Sequence, residues 1–159
     1  MQKNADIAKL GLVLEPLATH SRRSISVEDV RLLFASSPPT LSYQDIRQSV
    51  IEDNILAKRT YTSRQTVLRC LREYYGLNPA LPVYSALRFF WDYSTEEQPL
   101  LALLCAAARD PILRQSASLV LPWPQNTALP KAALEQALQT EFPSRYSAGC
   151  CLPGRRPGI

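Results

Sequence analysis

The chain has 159 residues, 46% of them apolar, and a formal net charge of +4, enough for one domain with a real core or two small lobes sharing one. The first 20 residues lack the basic start, apolar run and small-residue cleavage site of a secretory signal. The longest apolar run, residues 100–108, has nine residues, whereas a helix needs about 20 to cross a bilayer, so the reading has no membrane partner.

Residues 1–20 are open between a short strand over 7–14 and the start of a helix, with Gly11 and Pro16 weakening a long one. Ser26, with Asp29 three residues on, opens the first clear helix as a capping-box-like pair. Val27, Val30, Leu33 and Phe34 give it one apolar face, and Ser36-Ser37-Pro38-Pro39 ends it. Ser42 and Asp45 open a second helix in the same way, with Tyr43, Ile46 and Val50 as its buried stripe and an end near Asn54. Thr62-Ser63 start a third, which runs to Tyr75 and stops at Gly76. Its core face is Val67, Leu68, Leu71, Tyr74 and Tyr75. At about 100° per residue, Gln65, Arg69 and Arg72 project together on another side.

Residues 78–82 link to a fourth helix, with Val83, Tyr84, Leu87, Phe90 and Trp91 on one face. Ser94 or Thr95 caps a fifth over residues 100–109, apolar on nearly all sides and read as a buried core helix. Asp110 caps and Pro111 opens a sixth, which Pro122-Trp123-Pro124 breaks. A seventh runs over residues 130–142, with Leu134, Leu138 and Phe142 spaced by four. From residue 147 the chain is rich in Gly, Pro and Arg without periodicity, and disorder is expected there. The fold class is mostly α, with at most a short β element. The expected division is an N-terminal part over 1–77, a C-terminal helical part over 78–146 and a tail over 147–159.

Catalytic constellations are not evident. Phosphate-loop, dinucleotide, nucleophile-elbow and zinc-protease signatures are missing. His20 is the sole histidine, with no Cys or His nearby to complete a metal site. Cys70, Cys105, Cys150 and Cys151 form no C-x-x-C pair, and reduced thiols in a cytoplasm are the simple reading. Glu52-Asp53 and Glu96-Glu97 are adjacent carboxylates that diverge on a helix surface. The expectation is a non-enzyme with no catalytic residue, metal or cofactor.

Charge is distributed unevenly. Residues 58–72 hold Lys58, Arg59, Arg64, Arg69 and Arg72 with no acid, a net +5 that exceeds the charge of the whole chain. Lys58 and Arg59 precede the third helix, and Thr62 and Ser63 lie at its N-terminus, where free amides favour a phosphate. Arg64, Gln65, Arg69 and Arg72 extend the surface along about two turns, roughly 10 Å. Gln and Arg also read adenine and guanine edges. Three short helices with a basic third resemble helix-turn-helix modules.

The stretch Val50-Ile51-Glu52-Asp53-Asn54-Ile55-Leu56-Ala57-Lys58-Arg59-Thr60, then Arg64 and Val67-Leu68-Arg69-Cys70-Leu71-Arg72, forms a longer pattern. A helix ends in acid-Asn-apolar-Leu-x-Lys-Arg-Thr, and a basic helix follows that closes on an aromatic pair. Phe89-Phe90-Trp91-Asp92, the apolar helix from Leu100 and Asp110-Pro111 come next. In these features residues 6–147 resemble the BrxA family, the small A-subunits of BREX (bacteriophage exclusion) systems in bacteria and archaea.

The resemblance implies a cytoplasmic, non-catalytic component of an antiviral defence that confers phage resistance. It implies double-stranded DNA binding through a winged-helix-like part, packed on a C-terminal helical part, and contacts with other BREX subunits. Such folds have also been likened to the RNA-binding antitermination protein NusB. The region carried over is residues 54–72. After Tyr146 the chain departs from the family and switches to Ala148-Gly149-Cys150-Cys151, as a frameshift, an early stop or an unrelated tail would produce. Two alternatives to DNA binding stay open: RNA binding with a NusB-like fold, for which Tyr61 could stack on bases, and a helical adaptor that docks other defence subunits through the same basic face.

Overall fold

The computed structural model of the chain describes residues 2–14 and 26–142. Its described residues form eight α-helices and no strand. They are α1 (Gln2–Lys9), α2 (Val27–Ser36), α3 (Tyr43–Ile51), α4 (Tyr61–Tyr75), α5 (Pro82–Phe90), α6 (Gln98–Arg109), α7 (Pro111–Val120) and α8 (Lys131–Glu141). The mostly helical class is therefore as expected. The open choice over residues 7–14 resolves to the end of a helix followed by a turn. His20, Cys150, Cys151, Tyr146 and the tail over 147–159 lie outside the described residues.

The helix starts follow local chemistry where a hydroxyl is available. Ser26 Oγ accepts the Asp29 amide, and Ser42 Oγ accepts the Asp45 amide. Thr60, two residues before the expected start, caps α4: its Oγ1 accepts the Ser63 amide while the Ser63 hydroxyl faces back to the Thr60 amide. Neither Ser94 nor Thr95 caps α6. That helix begins after Glu97 with no side-chain cap. Gly76 ends α4 at φ +84°, a left-handed conformation that glycine adopts without strain.

The chain divides into two units, Met1–Pro111 and Ile112–Ile159. The expected boundary at 77/78 falls inside the first unit, where α4 and α5 both pack on α6. The inner face of α6 is small (Ala102, Cys105 and Ala106, all buried), and this lets its neighbours approach closely. Around it close Val30, Leu33 and Phe34 of α2, Val67, Leu68, Leu71 and Tyr75 of α4, and Tyr84 and Leu87 of α5, followed by Trp91. Phe34 meets Trp91 edge to face at 5.0 Å, a pairing worth about 1 kcal/mol beyond its buried area. Buried Gln98 joins three segments: it accepts from Arg31 Nε at 2.7 Å and donates to the Trp91 carbonyl at 3.1 Å.

Two arginines also serve this core. Arg109 donates from Nε to the Glu73 carbonyl and from Nη1 to the Gly11 carbonyl, joining the ends of α4 and α6 to the turn after α1. Arg88 is buried, lies over the Phe34 ring at 4.1 Å and donates to the Ser37 carbonyl at 2.6 Å. Its Nε and Nη1 and the Ser37 hydroxyl find no partner among the described residues. In the second unit, α7 and α8 each carry an apolar stripe, and Lys131 pairs with Glu135 one turn on along α8.

Two expectations about burial change. The run over residues 100–108 is a core helix on one side only, because Leu100, Leu103 and Leu104 are exposed. Phe90, placed on the buried face of its helix by spacing, is also exposed.

Burial pushes the Cys105 thiol up to about 12 from 9.0, against a weaker opposite pull from Arg109, and burial likewise raises Tyr75. On unfolding, both groups regain ordinary acidity, so above about pH 9 the unfolded chain holds fewer protons and stability falls as pH rises. The urea midpoint should be lower at about pH 10 than at about pH 8, and Cys105→Ala should shrink that difference.

Candidate nucleic-acid interface

The connection from α3 to α4 is a tied loop. Asn54 takes φ +53°, and its Oδ1 accepts the Lys58 amide at 2.9 Å. Asn tolerates this left-handed geometry better than most residues. The Asn54 carbonyl accepts the Ala57 amide at 2.8 Å, and Leu56 between them plugs into the core. These contacts set α4 against α3, and the seam between the two helices carries the basic surface.

Two of the five cations in residues 58–72 are used inside the fold. Lys58 Nζ lies 2.6 Å from Asp29 Oδ1, with Asp29 buried in the first turn of α2. Arg64 Nη1 donates to the Ile51 carbonyl at 2.8 Å, and its Nε approaches the Lys58 carbonyl at 3.5 Å. A cation at the carbonyl end of α3 also complements the helix dipole. Ser63 is likewise engaged, in the reciprocal cap with Thr60. Thr62 is exposed, and its carbonyl accepts the Thr66 hydroxyl. Arg59 is exposed with no ion pair among the described residues.

The remaining three of the expected site residues converge. Gln65, Arg69 and Arg72 of α4 line one shallow groove with Leu68, and across it stand Tyr43, Arg47 and Ile51 of α3. Spacing explains the convergence: 43, 47 and 51 form one stripe of α3, and 65, 68, 69 and 72 form one stripe of α4. The guanidinium of Arg72 lies over the Tyr43 ring at 4.5 Å, an exposed cation–π contact worth about 0.5–1 kcal/mol. It spans the seam and holds the arginine at the groove wall. The lining has three arginines and no carboxylate. Asp45, the acid in the first turn of α3, is occupied by the Ser42 hydroxyl at 2.6 Å.

Arg47 was missed by sequence reasoning. It lies outside the charge-rich stretch, in a helix whose local charge balances, and only the α3–α4 packing brings it into one groove with Arg69. Among the described residues no three His, Cys, Asp or Glu side chains gather as a metal site would need.

The division of cations predicts two classes of variant. Lys58→Ala leaves buried Asp29 unpaired and should cost about 1–2 kcal/mol in urea unfolding, reduced from a fully buried pair because Lys58 is 28% exposed. Arg64→Ala should cost about 1–2 kcal/mol through the lost Ile51 contact. Arg47→Ala and Arg69→Ala should stay within about 0.5 kcal/mol of the parent. No protein-family model, curated protein or solved structure matches the chain.

Proposed function

We propose that this chain is a non-catalytic nucleic-acid-binding protein of the BrxA type that holds double-stranded DNA in the α3–α4 groove, as a component of a BREX phage defence. The observation that carries the reading is the convergence of Arg47, Arg69, Arg72 and Gln65 on one face whose lining has no carboxylate. Arginine is suited to phosphate because its planar fork donates two parallel hydrogen bonds and keeps its charge at every physiological pH. Gln65 adds a side chain able to pair with a base edge. Arg59, exposed ahead of α4, extends the positive surface past the helix start.

In this reading α2, α3 and α4 act as the helix-turn-helix-like part, with α4 as the helix facing DNA. The described residues contain no strand to serve as a wing, so the contact rests on the two helices of the groove. Lys58, Arg64 and Ser63 position that surface without touching the ligand.

Fluorescence anisotropy with a duplex of roughly 30 base pairs tests the proposal. Three or four phosphate contacts give a slope of about −3 to −4 in log K against log salt. Arg47→Glu, Arg69→Glu and Arg72→Glu should each weaken binding about tenfold or more and flatten the slope by about one. Affinity within twofold of the parent for all three would contradict the reading. RNA is the runner-up, favoured by Tyr61, which is 51% exposed at the first position of α4 and free to stack on an unpaired base. If Tyr61→Ala weakens binding to single-stranded RNA, and RNA outcompetes duplex DNA, the runner-up replaces the first reading.

A further inference from the structure

A second surface is as distinctive as the basic groove and has the opposite character. On α5 and just beyond it, Phe89, Phe90 and Tyr93 are 63%, 48% and 71% exposed. Their ring centroids lie 5.0 to 5.9 Å apart, so they form one cluster. On α6, Leu100, Leu103 and Leu104 are 56%, 46% and 58% exposed. They sit one turn apart on the side opposite the buried Ala102, Cys105 and Ala106. Phe90 and Leu104 line the same apolar groove between the helices, whose floor includes Val83, Leu87 and Leu101. The aromatic cluster and the leucine stripe are therefore one continuous face. Its six exposed members carry no charge.

We infer that this face docks a second copy of the chain through the same face. Two observations point to a copy rather than to a different partner. The face holds an exposed aromatic cluster and an apolar groove side by side. Across a two-fold axis, the aromatic cluster of each copy can enter the groove of the other. Its area also fits. At about 200 Å² for a fully exposed side chain of this size, the six residues present roughly 650 Å². That exceeds the largest apolar patch usual on a monomer, about 300–600 Å². Two copies would cover about 1,300 Å², within the range of specific, stable interfaces. The six residues carry no charge themselves, and the exposed acids Asp92, Glu96 and Glu97 lie in the chain between Phe90 and Leu100.

Sedimentation equilibrium of the full chain tests this. The chain mass is 17.8 kDa. At about 100 μM, above the weakest dissociation constants usual for such an area, the protein should run at twice its chain mass. Leu104→Glu and Phe89→Glu each place two like charges across the two-fold axis and should raise the dissociation constant about 100-fold or more. Circular dichroism should not change, because both side chains are exposed, and the variants should melt where the parent melts once it is diluted to single chains. The milder Phe89→Ser should weaken the dimer with no new charge. A parent protein of single-chain mass throughout overturns the inference, whether residues 112–159 or another protein covers the face. A dimer that survives both glutamate variants places the contact elsewhere and overturns it too. So does loss of folding in the variants, which would mean that the face is buried within the chain.

Discussion

Lys58 and Arg64 fix the crossing from α3 to α4, and the rest of the candidate site depends on that crossing. Lys58 holds the loop to the first turn of α2 through Asp29, and Arg64 closes the end of α3 through the Ile51 carbonyl. Asn54 supplies the left-handed turn between them. With the loop tied at three points, the stripe of α3 and the stripe of α4 face each other in one register. Slip that register by one residue and Arg47 rotates by about 100° away from Arg69. The cations that build the surface are thus different from the cations that would use it.

This separation has an energetic reason. A lysine beside a buried carboxylate loses the pair's benefit and exposes Asp29 to a desolvation cost if it turns to a ligand. Arg69 and Arg47 face solvent and give up only hydration, while the favourable free energy of phosphate binding comes from release of cations condensed on the nucleic acid. Arg72 stands between the two classes. Its contact with Tyr43 restricts the side chain before any ligand arrives and so reduces the ordering cost on binding. Elsewhere in the unit, α6 uses its small residues to pack inward and its leucines to face outward, and α5 turns Phe89 and Phe90 outward. One unit therefore presents a charged groove and an uncharged face on different helix pairs.

Much of this was legible in the sequence where the signal is local. Ser26 and Ser42 are caps as expected, Gly76 ends α4, and the apolar stripes of α2, α3 and α4 are buried as their spacing predicts except at Val27, Tyr43 and Tyr74, which are half-buried. The charge-rich stretch drew attention to Gln65, Arg69 and Arg72, which line one groove. One miss was local and the others were not. Thr60 rather than Thr62 caps α4, because Ser63 reciprocates only at that offset. A run of apolar residues cannot say which side of a helix meets a neighbour, so α6 and Phe90 were placed too deep. Lys58, Ser63 and Arg64 are indistinguishable in sequence from free cations and hydroxyls until their partners at Asp29, Thr60 and Ile51 are known. Arg47 was invisible because its neighbours in space belong to another helix.

The cations divide into a supporting set and a contacting set, and arginine side-chain spectra read that division residue by residue. The Nε–Hε signals of Arg47, Arg69 and Arg72 should shift on adding a short DNA duplex. Those of Arg64 and Arg109, whose Nε groups face the backbone carbonyls of Lys58 and Glu73, should hold their positions. Shifts confined to Arg64 and Arg109, or none at Arg47 and Arg69 under saturating duplex, would contradict the account.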